Sequence, residues 1–154
     1  RSSDLAPEGP VYQAGTLSGN PVATRAGLET LRLLDQDVYD HLDSISQQVG
    51  DLVHEALTKA GVAHQVQRAG NLLSVFFTDT PVTNFDQARA QDTTAFSRFF
   101  HSLLDNGVSL PPSAFEAWFV SAAHSEADLD LLESALPAAS QAAASESTGT
   151  TKGA

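Results

Sequence analysis

The chain has 154 residues, with 19 Asp and Glu against 8 Lys and Arg and a formal net charge of −11. That balance argues against a nucleic-acid binder, which draws on clustered Lys and Arg, and the absence of cysteine excludes a disulfide framework, a thiolate metal site and a cysteine nucleophile. The longest apolar run, Leu72 to Phe77, is interrupted by Ser74 and falls far short of the roughly 20 residues that a bilayer span needs.

No basic, apolar, small-residue order opens the chain, so nothing there reads as a signal peptide. The chain contains no methionine and starts at Arg1 in an irregular segment, which leads us to expect a piece of a longer polypeptide. Its length suits one domain burying about two-thirds of its unfolded surface. A strand-like stub, Val11 to Ala14, is followed by Gly15-Thr16-Leu17-Ser18-Gly19-Asn20-Pro21. Asn20 before Pro21 is a helix start, because the Asn side chain caps and the missing proline N–H would have had no partner anyway. That helix is expected over 21–34. Val38, Leu42, Ile45, Val49, Leu52, Val53, Ala56 and Leu57 recur at intervals of three and four, one apolar stripe on a long helix that Gly61 stops.

The period then changes. Val62 and the stretch 64–67 suggest a short strand, and Leu72 to Thr78 a better one after Gly70-Asn71. Residues 79–92 read as a loop. Phe96, Phe99, Phe100, Leu103 and Leu104 predict a helix from Thr94 to Asn106, ended by Gly107, with the aromatic face best explained as core. Val108 to Leu110 is expected as a strand, Pro111-Pro112 as an extended turn, and Ala117 to Ser121 as a further strand. Ser125 to Asp128 resembles a capping box opening a last helix that runs to about Leu136. From Pro137 onward nothing is larger and more apolar than Ala, so residues 137–154 are expected to be disordered. The sum is an α+β chain with helices packed on one face of a small sheet.

The Gly15–Pro21 stretch carries the strongest chemical signal. Glycines admit close approach to a ligand, hydroxyls donate, and a helix N-terminus favours an anion, so a phosphate-binding turn and an ordinary well-capped loop both fit. No lysine follows Gly19, so it is not a Walker loop. The histidines His41, His54, His64, His101 and His124 show no metal-ligand spacing; His124, just before a helix cap, is a better functional candidate than His41 and His54, with a structural hydrogen bond the first expectation there. The acidic run Asp35, Asp37, Asp40 and Asp43 reads as a solvated helix start. Glu116 lies among Phe115, Ala117, Trp118 and Phe119. In extended chain it shares a face with Trp118, either at a solvated rim or facing a polar ligand.

The stretch Gly9 to Pro21, reading G-P-V-Y-Q-A-G-T-L-S-G-N-P, resembles the glutamate-1-semialdehyde 2,1-aminomutase family, pyridoxal-phosphate enzymes of tetrapyrrole synthesis on the class III aminotransferase fold. Phe76 to Asp79, Phe99 to Val108, Pro112 to Ala117 and Ala123-His124-Ser125 extend the resemblance over residues 5–136. The G-T-x-x-x-N-P core indicates class III, and S-A-F-E-A narrows it to the aminomutases. The resemblance implies a C-terminal portion of a PLP-dependent transferase of fold type I. Residues 1–35 would be the end of the large cofactor-binding domain and the start of a connecting helix, 36–136 a small α+β domain, and 137–154 the tail. It implies a homodimer in which Gly15 and Thr16 reach the pyridoxal 5'-phosphate of the neighbouring subunit, and places Glu116 in the substrate pocket. It implies no nucleic-acid or membrane partner, and a cytoplasmic setting, or a plastid one for a plant or algal relative. The resemblance implies that the Schiff-base lysine lies outside this chain, and Lys59 and Lys152, which lack the desolvated setting that lowers a lysine pKa, agree with that. The chain alone is therefore expected to be inactive. Arg25 and Trp118 depart from the family pattern, which usually has a small residue and often Gly at those places. A class III aminotransferase of different substrate and a non-catalytic solo domain are the competing expectations.

Overall fold

The computed structural model describes residues 4–12, 15 and 17–145. It separates into two compact units, Arg1–Tyr39 and Asp40–Ala154.

In the first unit the Ala6 N–H donates to the Val11 carbonyl at 2.8 Å and the Val11 N–H to that of Asp4 at 3.0 Å, closing a small loop. Gly9 is dictated by packing, since a Cβ there would stand 2.2 Å from the Asp4 carbonyl carbon. The expected strand over Val11 to Ala14 reduces to one bridge between Leu5 and Val11, and Gln13 and Ala14 lie outside the described residues. Helix α1 (Pro21–Leu33) starts as the sequence demands, with Asn20 Oδ1 accepting from the Val22 and Ala23 N–H groups at 3.0 and 3.1 Å. No residue of α1 is buried, and Val22, Leu31 and Leu33 are all exposed.

Helix α2 (Gln36–Lys59), within which the two units divide, is opened by Asp35, whose Oδ1 accepts from the Val38 N–H at 3.1 Å. Its expected stripe is inward: Ile45, Val53 and Leu57 are buried. The Arg68 guanidinium lies against Gly50 in mid-helix and donates from Nη2 to the Gln47 carbonyl at 2.8 Å.

Helix α2 closes through Gly61, at φ +70°, with Gly61 N–H donating to the Thr58 carbonyl and Val62 N–H to that of Leu57, both at 3.0 Å. Only a residue without Cβ takes that left-handed conformation cheaply. Strands β1 (Gln65–Ala69) and β2 (Leu72–Phe76) pair antiparallel through a two-residue turn led by Gly70, at φ +60°. Along β2 and just past it Leu73, Val75 and Phe77 alternate inward and are buried.

The segment 79–92 is not all loop. Asn84 accepts from the Gln87 N–H at 3.0 Å and opens α3 (Phe85–Arg89), one short helix whose stability comes from local side-chain bonds that periodicity cannot report. Asp92 caps α4 (Thr93–Asp105), which buries Phe96, Phe99 and Leu103. Its closure repeats that of α2: Gly107 is at φ +85°, and Val108 N–H donates to the Leu103 carbonyl at 2.9 Å. Val62 and Val108, both expected in strands, thus spend their N–H groups on finishing helices. No strand forms over Val108 to Leu110, and Pro111 and Pro112 have no N–H with which to extend one. Of the strand expected over Ala117 to Ser121, only Trp118 pairs, its N–H donating to the Leu73 carbonyl at 2.7 Å.

The larger correction concerns the C-terminus. Helix α5 (Glu126–Ala144) runs through Pro137 and for seven residues beyond it, so residues 137–144 are ordered helix and not a disordered tail; residues 146–154 lie outside those described. Three physical causes hold it. Alanine has the best helix propensity, and Ala139 and Ala143 are buried against the core without large side chains. Arg98 of α4 donates from Nε to the Ala142 carbonyl and from Nη2 to that of Ala143, each at 2.9 Å, capping the helix end across the fold. The core thus joins α2, β2, α4 and α5, with Phe99, Leu57, Leu73 and Leu136 fully enclosed.

Candidate functional site

The turn that precedes α1 is exposed from Leu17 to Asn20. The Gly15 carbonyl accepts from the Ser18 N–H and the Leu17 carbonyl from the Asn20 N–H, both at 3.1 Å. Thr16 lies outside the described residues; Gly15 itself is exposed. The Asn20 cap occupies the Val22 and Ala23 N–H groups, so an anion would not meet those donors at the helix end. Approach is open on the turn side, where a Cβ on Gly19 would find nothing within 4 Å. Arg25 lies on the exposed surface of α1 and pairs with Glu29 at 2.7 Å, an ordinary i,i+4 helix pair.

In the second unit Glu116 sits in a tight turn rather than a strand: its N–H donates to the Ser113 carbonyl at 3.2 Å, and the Phe115 N–H to Ser113 Oγ at 3.2 Å. The two-residue alternation expected for this stretch therefore fails. Trp118 turns into the core at 5% exposure while Glu116 is exposed, so the two do not share a face. Phe85 and Phe115, both exposed, bring their rings to 6.2 Å beside this turn. What fixes the turn is Gln91, which is buried. Its Nε2 donates to the Ala114 carbonyl at 3.1 Å and its Oε1 accepts from the Phe77 N–H at 3.2 Å. Nothing in the sequence marks Gln91, because a glutamine before a helix cap gives no sign that it is enclosed.

Trp118 also floors a cleft of about 230 Å³ that has Leu73, Val108 and Leu132 among its walls and His124 and Asp128 in its lining. His124 Nδ1 accepts from the Ser121 N–H at 2.9 Å, so this ring nitrogen serves the loop before α5. Asp128 reaches back as expected of a capping box: its Oδ2 accepts from the Ser125 N–H and hydroxyl, both at 2.8 Å. The Ser125 N–H first, then its hydroxyl, and the neighbouring His124 charge hold this carboxyl below its ordinary value of 3.8. A carboxylate whose pKa is depressed by folding adds stability above the unfolded value, and that contribution is lost as pH falls through the folded one. The melting-temperature gap between the parent protein and Asp128→Asn should therefore narrow as pH falls below 3.8. A gap independent of pH down to full acid unfolding would refute this.

Lys59 is exposed and its Nζ pairs with Glu55 at 3.2 Å, far from the desolvated setting of a reactive lysine; Lys152 lies outside the described residues. His41 and His101 are exposed, whereas His54 and His64, ten residues apart, meet ring to ring. Sequence spacing missed that pair because the turn at Gly61 folds one back on the other. Among the described residues no group of three or more His, Cys, Asp or Glu could hold a metal ion, and no helix is long and apolar enough to cross a membrane.

The α+β arrangement, the capped glycine turn and the S-A-F-E-A turn together define a class. Residues 3–136 match the family described as aminotransferase class-III, and the chain belongs to that family. A glutamate-1-semialdehyde 2,1-aminomutase from Propionibacterium freudenreichii subsp. freudenreichii is 56% identical over 140 residues, covering 91% of this chain and 32% of its own length. The protein of the same name from Cutibacterium acnes is 55% identical over 141 residues, with the same two coverages. The chain thus spans about a third of the length of these curated relatives. Among solved structures, an omega-transaminase from Sphaerobacter thermophilus superposes with a TM-score of 0.70 at 28% identity, over 92% of this chain and 33% of that one.

Proposed function

We propose that this chain serves as the C-terminal part of a pyridoxal-phosphate-dependent aminomutase that converts (S)-4-amino-5-oxopentanoate to 5-aminolevulinate, a step of porphyrin biosynthesis, in the cytoplasm. The observation that carries the reading is identity of 55–56% to two bacterial aminomutases over nine-tenths of the chain. The cofactor, when bound, supplies the electron sink for moving an amino group between adjacent carbons. This chain's residues bind and orient. Gly15 and Thr16 would hold the phosphate of the neighbouring subunit's cofactor in a homodimer, on the open face of the turn. Glu116, exposed on a turn braced by Gln91, would accept a hydrogen bond from the substrate amine and repel a second carboxylate. The lysine that carries the cofactor would belong to the rest of the polypeptide, so residues 1–154 alone would be inactive.

The test is an assay of the full-length protein with (S)-4-amino-5-oxopentanoate. Formation of 5-aminolevulinate without an external amino acceptor is the expected result, and transfer only to an external oxo acid would replace the reading with an ordinary aminotransferase. Glu116→Gln should lower turnover by about tenfold to a hundredfold, the equivalent of one charge-assisted hydrogen bond of about 1.5–3 kcal/mol. Unchanged turnover and substrate preference would remove Glu116 from the site.

A further inference from the structure

We propose that His54 and His64 form a two-histidine chelate for a divalent ion of tetragonal preference from the late first transition row, copper(II) or nickel(II). The geometry begins with proton placement. His64 Nδ1 lies 2.7 Å from the Val62 carbonyl, which can only accept, so Nδ1 carries the proton and Nε2 presents its lone pair. That lone pair meets His54 Nδ1 at 2.8 Å, so in the metal-free pair His54 Nδ1 is the donor. A ring whose far nitrogen donates to a carbonyl is the arrangement that fixes the tautomer and aim of a metal-bound histidine.

The ligand type narrows the ion: imidazole nitrogens suit the late first-row divalent ions, and affinity rises along the row to copper(II). Two nitrogens at a right angle on bonds of about 2.0–2.1 Å stand about 2.9 Å apart, so rings already hydrogen-bonded at 2.8 Å are close enough to share one ion. On binding, the ion sheds two water ligands and forms two nitrogen bonds. The His54 proton moves from Nδ1 to the ring's other nitrogen, so no net proton is released. The ring centroids are 4.9 Å apart at 56°, and a swing of the exposed His54 ring aims both lone pairs at one point. The backbone beneath is already set: Val53 and Leu57, beside His54 on α2, are fully buried, and the Gly61 closure fixes the turn between the two histidines. Because no third His, Cys, Asp or Glu joins among the described residues, water fills the remaining positions.

Titration of the full-length protein with copper(II), followed by electron paramagnetic resonance, tests this. One equivalent should give an axial signal with splitting from two equatorial nitrogens. His64→Gln, with folding checked by circular dichroism, should bind about a hundredfold more weakly, since chelation makes the second bond intramolecular. The parent spectrum stands without any variant: a single-nitrogen signal, or no protein-bound copper, overturns the proposal. So does a two-nitrogen signal that survives His64→Gln, which would place the ion elsewhere.

Discussion

Replacing Phe99 with alanine should destabilise the protein by about 3–5 kcal/mol, the range for emptying a large aromatic site in a core. The side chain has 0% exposure and packs 5.6 Å, centroid to centroid, from Phe77, which in turn stands edge-on to Phe96 at 6.0 Å. Phe99 sits in the shared cluster of α2, β2, α4 and α5, so no single element can relax into the space without losing contacts with the others. Against a total stability of about 5–15 kcal/mol, that loss is a large fraction. Denaturant unfolding measures it directly as a shift in midpoint. Phe100, only partly buried and stacked on Phe96 at 6.2 Å, is the internal comparison and should lose much less on truncation. A loss below about 1 kcal/mol for Phe99→Ala would contradict the packing described.

Gln91→Leu should cost about 2–5 kcal/mol although it adds apolar surface. The variant leaves the Phe77 N–H and the Ala114 carbonyl without the bonds that the buried amide now makes, and each abandoned buried group costs about 1–3 kcal/mol. Gln91→Glu separates the two halves, since it keeps the acceptor for Phe77 and loses the donor to Ala114. Its turn at Ser113–Glu116 should loosen, read as faster amide exchange there, while the Phe77 amide stays protected. Equal exchange in all three proteins would show that Gln91 does not brace the turn. The consequence reaches function, because in the proposed enzyme Glu116 is only as well placed as that turn.

Local chemistry was legible. Asn20-Pro21 announced the start of α1, the three-four spacing from Val38 to Leu57 announced the buried side of α2, and Gly61 and Gly107 marked where helices close. Ser125 and Asp128 announced the cap of α5, and the aromatic face of α4 entered the core as expected. These signals are carried by residues within a few positions of one another, so composition and spacing suffice. The family was legible too, through the G-T-L-S-G-N-P and S-A-F-E-A stretches, and the match over residues 3–136 agrees.

The departures from local pattern share one cause. Val62 and Val108 have the residue type of strands, yet their N–H groups close the preceding helices. Strand alternation would put Glu116 on one face with Trp118, and a tight turn takes the place of the strand. The alanines after Pro137 looked too small to order themselves, and alone they would be; Arg98, some 45 residues earlier, and a core that accepts small side chains supply the stabilisation.

The sequence by itself determined α1, α2 and α4, the caps at Asn20 and Ser125, the stops at Gly61 and Gly107, the acidic and cysteine-free composition, and the family. Only the tertiary structure decided that α5 continues to Ala144, that Gln91 is enclosed beneath the Glu116 turn, that Trp118 joins the core, and that His54 meets His64. A cap or a stripe is written in neighbouring residues. A bond across the fold depends on which groups the chain brings together from far apart, and no local pattern records that.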